Sequence, residues 1–291
     1  MERIVIDIPD IKSNFDGYNY LCSLYHRLKN CKDKYITFNF SKANFIEANL
    51  CALIGTIFEM LEENNNIVSL ENINHKIANI LRKNSFLIKY GYPTLNDRFD
   101  TSLKYERLNP QEETKFYGYI KDELFSKTDF PYLSNRLRSE ITKNIFELYE
   151  NARTHGKCNF IHICGQFFPK APKKPLHFTI VDKGITIKEN VCNFRGESLS
   201  GSETIQWAIV RGNSTKQEVG GLGLGIIFEF IKLNKGKIHI VSADGYYEFS
   251  NGQETTKTLS NPFDGTLVNL TFDLTDKHYY YLEEESLNNI F

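Results

Sequence analysis

No stretch of the 291-residue sequence approaches the roughly 20 consecutive apolar residues that a helix needs to cross a bilayer, so no membrane span is expected. Neither sign of charge dominates: 35 Lys and Arg stand against 36 Asp and Glu, a formal net charge of −1. Proteins that grip nucleic acid by its phosphates concentrate positive charge, and nucleic acid is therefore not an expected partner. Cysteine is sparse and unpatterned. Cys22, Cys31, Cys51, Cys158, Cys164 and Cys192 form no CxxC pair and no metal-ligand spacing. Several sit in apolar runs, where buried free thiols are the ordinary outcome. The N-terminus MERIVIDIPD has no basic segment leading into an apolar one, so no secretory leader is expected. These absences together point to a reducing cytoplasm. What is present, 41% hydrophobic and 24% charged residues, is the composition of a globular chain long enough for one large domain or two ordinary ones.

Hydrophobic periodicity divides the chain. Up to about residue 90, alternating strands (Arg3–Ile8, Tyr35–Phe40, Ile67–Leu70) interleave with helical patterns (Gly17–Lys29, Leu50–Leu61, His75–Asn84). This β-α alternation predicts a small sheet backed by helices. Lys89–Pro110 lacks sustained periodicity and carries prolines and Gly91, which places a domain boundary there and gives domains 1–95 and 96–291. Beyond it, Gln111–Lys127 reads as a helix. Pro131 suits the first turn of a long helix to about Thr154 whose stripe is Leu137, Ile141, Ile145, Leu148 and Ala152. Strands are expected at Asn159–Phe168 and Leu176–Val181. A polar stretch follows, interrupted by a helix at Glu203–Arg211, then a helix from Gly223 to Leu233. Strands at Lys237–Ser242, Tyr246–Ser250 and Thr266–Phe272 close the chain. The fold class is α/β (α+β).

Four signals in the second half bear on chemistry. In ELYENARTHG (147–156), Glu147 and Asn151 stand one helical turn apart. A carboxylate and an amide oxygen so placed can hold a water and a Mg2+, because hard cations take oxygen ligands; a solvated helix face ending in a Gly156 cap is the plainer alternative. In VDKGIT (181–186), an apolar strand delivers Asp182 to its end, where a carboxylate can accept from an exocyclic amine, and Gly184 permits close backbone approach or positive φ; an ordinary β-turn is the plainer alternative. In GGLGLGI (220–226), glycines open an apolar helix and expose amide donors and the positive dipole end to an anion. It is not a Walker A loop, because no GK[ST] follows, and the polar segment before it does not fit a Rossmann fingerprint. In GTLVNLTF (265–272), a Gly–Thr enters the last strand.

In this order, over roughly Leu137–Leu274, the four signals resemble the N, G1 and G2 boxes and the closing Gly–Thr of the GHKL (Bergerat-fold) ATPases and kinases, with an N box closest to that of anti-sigma-factor kinases. The resemblance implies a two-layer α/β sandwich that binds ATP with Mg2+. It assigns Asn151 to Mg2+ and Asp182 to the adenine amino group, with Gly184 letting the base approach the backbone. Gly221, Gly223 and Gly225 would hinge a lid and cradle phosphate, Thr266 would sit beside the adenine, and Glu147 would be the general base. Thr186 departs from the pattern, standing where DxGxG has its second glycine. Within a lid spanning about 187–220, Ser214, Thr215 and Lys216 would approach the γ-phosphate.

The first domain resembles STAS domains in the strand–turn–helix layout of Tyr35–Asn65. Its turn, Ile46-Glu47-Ala48-Asn49, lacks the phosphorylatable serine of regulatory members, which implies an interaction or regulatory module that engages a protein partner. Three functions follow: a slow Mg2+-dependent ATPase acting as an ATP-driven regulatory switch, a serine/threonine kinase of the anti-sigma type, or a histidine-kinase fragment. The last lacks a phosphoacceptor His before the N box. The chain ends soon after the last family strand, so slow turnover is expected unless a partner or a homodimer mate completes the site.

Overall fold

In the computed structural model, which describes residues 1–210, 212, 213, 215 and 225–285, a five-stranded sheet separates two hydrophobic cores. The N-terminal residues form β1 (Arg3–Asp7), α1 (Phe15–Leu28), β2 (Tyr35–Asn39), α2 (Cys51–Glu63), β3 (Ile67–Glu71) and α3 (His75–Lys83). Then come β4 (Ser102–Leu108), α4 (Glu113–Tyr119), the two-residue β5 (Tyr132–Leu133), α5 (Asn135–Asn151), β6 (Ile161–Phe167) and β7 (Pro175–Asp182). After them run α6 (Ile187–Arg195), α7 (Gly201–Ile209), α8 (Gly225–Leu233), β8 (Lys237–Ser250), β9 (Gln253–Asp273) and the short β10 (Tyr279–Tyr280). The fold is α/β. β1, β2 and β3 pair in parallel in that order, and the larger sheet runs β4-β6-β7-β9-β8, antiparallel throughout.

Helix α2 shows how the N-terminal elements attach. Every residue from Cys51 to Leu61 is buried, the signature of a helix enclosed on all sides, because it packs against β3 on one flank and β6 and β7 on the other. Alternation along the strands of the larger sheet sends Ile163, Ile180 and Val268 toward α5 and α8. The other face carries His162, Gln166, His177, Thr179, His239, Asn269 and Thr271, all buried. Antiparallel sheets commonly leave such a face to water; here α1, α2 and the turn before α2 cover it. Asn49, fully buried, donates to Thr179 Oγ1 at 3.0 Å and Asn269 Oδ1 at 3.2 Å, and Gln166 accepts from the Ala48 amide. Glu59 of α2 pairs with Arg107 of β4 and lies 3.6 Å from His162. The turn that the STAS resemblance singled out is therefore packed inside the chain.

Several elements differ from the sequence reading. Lys89–Pro110, read as irregular, contains β4, whose Leu103 and Leu108 alone are apolar and fully buried, too few for a periodic signal. The long helix starts at Asn135, not Pro131: Ser134 Oγ accepts from Leu137 N at 3.0 Å, and Tyr132–Leu133 pair instead with β10. The polar stretch after Lys183 holds α6 as well as α7. The two strands expected before Ser250 are one, β8, bent by a bulge at Ala243 (φ 51°). All six cysteines are free thiols, and four of them are buried. No helix among the described residues is long and apolar enough to cross a membrane.

Candidate functional site

The C-terminal end of α5, the end of β7 and the middle of β9 meet at one cleft. Leu137, Ile141, Ile145 and Leu148 anchor α5 in the core, and Asn144, Glu147 and Asn151, all half-buried, flank that stripe. After Asn151 the backbone widens into a π-turn, Ala152–Gly156, and stops at Lys157 in the left-handed region (φ 49°). Such widened turns recur where a helix must present groups to a site. β7 ends at Asp182, paired in register with Thr266 of β9.

Three glycines permit this closeness. A Cβ on Gly156 would sit 2.8 Å from Asp182 Oδ1, one on Gly184 would sit 2.0 Å from the Gly156 carbonyl oxygen, and one on Gly265 would sit 2.1 Å from the Asp182 carbonyl oxygen. Ile185 N donates to Gly156 O at 2.8 Å, locking the loop after β7 onto the end of α5. Gly184 is thus required by backbone packing; its φ is not positive. Thr186 has its own structural reason: it is the N-cap of α6, its hydroxyl accepting from Glu189 N at 3.1 Å in extended backbone that needs no glycine.

The cleft is open to solvent, and the ≈ 730 Å³ of space between its walls includes that open mouth. Its walls are mostly apolar: Leu148, Ile180, Ile185, Ile187, Val191, Trp207 and Val268 line it. Asn151, His155, Asp182, Asn190, Asn213, Thr215 and Thr266 supply the polar groups, and no Lys or Arg is among the described lining residues. Two polar atoms there are buried and without a partner, Asp182 Oδ1 and Asn151 Nδ2. Burial pushes the Asp182 carboxyl up to about 8, against the pull of the Thr266 backbone N–H that donates to it. Burial, and then the neighbouring Asp182, push the Cys158 thiol up to about 12. Buried polar groups are normally satisfied; Asp182 Oδ1 and the Asn151 amide nitrogen, unpartnered beside mostly apolar walls, leave an oxygen and an amide donor for a bound group to pair with.

No family model matches the chain, and no curated protein matches it.

Of the residues assigned from sequence, Asn151, Asp182 and Thr266 line the cleft together, and Gly184 lies beneath it. Thr266 is also tied to the sheet, its hydroxyl 3.0 Å from Ser242 Oγ. Thr215 reaches the cleft as well. Glu147 is half-buried and does not line it. Gly225 is not in the cleft either. It opens α8 with its Cα exposed, and Asn144 Oδ1 accepts from Ile226 N and Ile227 N at 3.0 Å each. Two first-turn donors that the glycine-rich segment was expected to offer an anion are therefore capped by α5. Lys216, Gly221, Gly223 and Ser214 lie outside the described residues. The segment expected as a lid contains α6 and α7, which occupy much of 187–209. Sequence reasoning missed Trp207, Asn190 and Asn144. Trp207 is the single tryptophan of the chain, a compositional signal that was there to be used; Asn144 and Asn190 carry none.

Proposed function

We propose that this chain binds ATP with Mg2+ in the cleft and acts as an ATP-driven regulatory switch with slow hydrolysis, as the resemblance to GHKL proteins implies. The observation that carries the reading is the pair of unsatisfied buried atoms, Asp182 Oδ1 and Asn151 Nδ2, facing one apolar slot. An adenine amino group donates where Asp182 needs a donor. The amide of Asn151 presents either its nitrogen or, rotated by half a turn, its oxygen, and an oxygen is what a hard cation takes. The donor set fits Mg2+ in the manner usual for nucleotide sites, with few protein ligands and the rest from phosphate and water. No cluster of three or more acidic, His or Cys side chains exists among the described residues to make an all-protein metal cage. Asn151 would hold the ion, which when bound neutralises phosphate charge. Glu147, one turn earlier, would serve as the base through motion or an intervening water, since it does not line the cleft. The alternative, a serine kinase of the anti-sigma type, uses the same nucleotide site. The chain's own turn at Ala48–Asn49 is buried and hydroxyl-free, so that turn offers no acceptor.

Calorimetric titration of the native protein and Asn151→Ala, with Mg2+ and with EDTA, tests this reading. Native affinity that depends on Mg2+ and is weakened in Asn151→Ala supports it. Unchanged Mg-ATP affinity in the variant sinks the metal assignment, and no ATP binding by the native protein sinks the function. Label from γ-labelled ATP appearing on a second protein, rather than as free phosphate, would establish the kinase alternative.

A further inference from the structure

Two segments at the floor of the cleft, the loop after β7 and the bulged stretch of β9 at Asp264–Thr266, are both tied to the C-terminal ends of α1 and α2. Lys183, next to Asp182, pairs with Glu63, the last residue of α2. Asp264, just before Gly265 and Thr266, accepts from Lys29 Nζ at 2.9 Å and from Tyr25 OH at 3.3 Å. Tyr25 belongs to α1 and Lys29 is its C-cap. The two helix ends are joined in turn, because Asn64 Nδ2, at the C-cap of α2, donates to the Lys29 carbonyl at 3.1 Å. The two segments also touch: a Cβ on Gly265 would lie 3.0 Å from Lys183 Cα. A closed circuit results, from the loop after Asp182 through Glu63, Asn64 and Lys29 to the Asp264–Thr266 stretch of β9 and back. Lys183 gains further from its place at the end of α2, where the helix dipole favours a cation.

These pairs are partly exposed, with side-chain exposures of 25% and 35% for Lys183 and Glu63 and 26% and 50% for Lys29 and Asp264. Such pairs add little to global stability, and the apolar faces of α1 and α2 already hold those helices in place. What the pairs determine is where these two segments sit. We infer that Glu63, Lys29 and Tyr25 are positioning residues for base recognition, through which the N-terminal layer sets the affinity and purine selectivity of the cleft. The inference rests on reading the cleft as an adenine-nucleotide site. By linkage, nucleotide binding in turn stiffens the ends of α1 and α2.

The test uses the full chain with Glu63→Gln and Lys29→Met combined. In the nucleotide-free protein, amides at 183–185 and 265–266 exchange hydrogen faster than in the native chain. ATP affinity falls on the order of tenfold, the scale of a moderate coupling, and preference for ATP over GTP narrows, while the melting temperature barely moves. Exchanging the charges of the first pair, Glu63→Lys with Lys183→Glu, restores protection at 183–185. Unchanged exchange and unchanged selectivity in the double variant overturn the inference. So does loss of binding only in step with global unfolding and without rescue by the exchanged pair. Faster loop exchange in a protein whose native form binds no adenine nucleotide supports the positioning role and refutes the reading of the cleft.

Discussion

Replacing Asp182 by Asn should make the free protein more stable and its nucleotide binding weaker. In the unfolded chain an aspartate titrates near 3.9, whereas burial holds Asp182 up at about 8. Between those values the folded chain keeps a proton that the unfolded chain has lost. Folded stability therefore falls as pH rises through that window, by about 1.4 kcal/mol per unit, and is flat below and above it. At pH 7 the accumulated cost of this one group is about 4 kcal/mol. Asparagine does not titrate; it leaves one buried amide group short of a partner, at about 1–3 kcal/mol. The net gain at pH 7 is about 1–3 kcal/mol, or roughly 3–10 °C in melting temperature. It shrinks or reverses at pH 4.5, where the native carboxyl is nearly cost-free. In the bound state the order inverts: an amide donor facing the base's amino donor costs about 1–3 kcal/mol, a loss of roughly 5–150-fold in ATP affinity. Thermal melts without nucleotide at pH 4.5, 6 and 8 measure the first half, and calorimetry measures the second. A variant less stable than native by the same amount at every pH would refute the reasoning.

Gly184→Ala should destabilise the fold by about 1–3 kcal/mol or more, since the new Cβ would lie 2.0 Å from the Gly156 carbonyl oxygen; denaturant melts matching the native protein would contradict that packing. Trp207, half-buried and lining the cleft, should report nucleotide binding as a saturable change in fluorescence that Trp207→Phe abolishes; silence at ATP levels that saturate by calorimetry would remove it from the site. Glu147→Ala should leave ATP affinity nearly intact and lower phosphate release by about 10²–10⁴-fold, the contribution of a positioned base. Release within about twofold of native at saturating ATP would make Glu147 part of an ordinary helix face, where alanine is well tolerated.

Local patterns were legible where one residue's neighbours in sequence are also its neighbours in space. The apolar stripe of α5 and the Asp182 strand end belong to that class, and so does the Gly–Thr at 265–266, so the sequence brought three lining residues to one cleft. What could not be read depends on distant packing. Ser134 rather than Pro131 starts α5 because β10, far along the chain, captures Tyr132–Leu133. The capping of α8 by Asn144 is a contact across more than eighty residues that no spacing rule encodes. The polar face of the larger sheet carries alternating His, Thr and Asn positions. They are buried because α1 and α2 close over them, and that covering brings Glu63 and Lys29 to the site's loops.

Calorimetric titration of Mg-ATP and Mg-GTP into the native protein at pH 6.5 and 8.5, each in two buffers of different ionisation enthalpy, tests the central claim most directly. The account predicts that ATP binds more tightly than GTP at both values. It also predicts that the affinity for ATP is higher at pH 8.5, and that binding at pH 6.5 releases close to one proton, because a donor on Asp182 favours the charged form of a group that is neutral in the free protein. Equal affinity for the two purines with no proton released would show that Asp182 does not read an adenine, and the assignment of the cleft would fall.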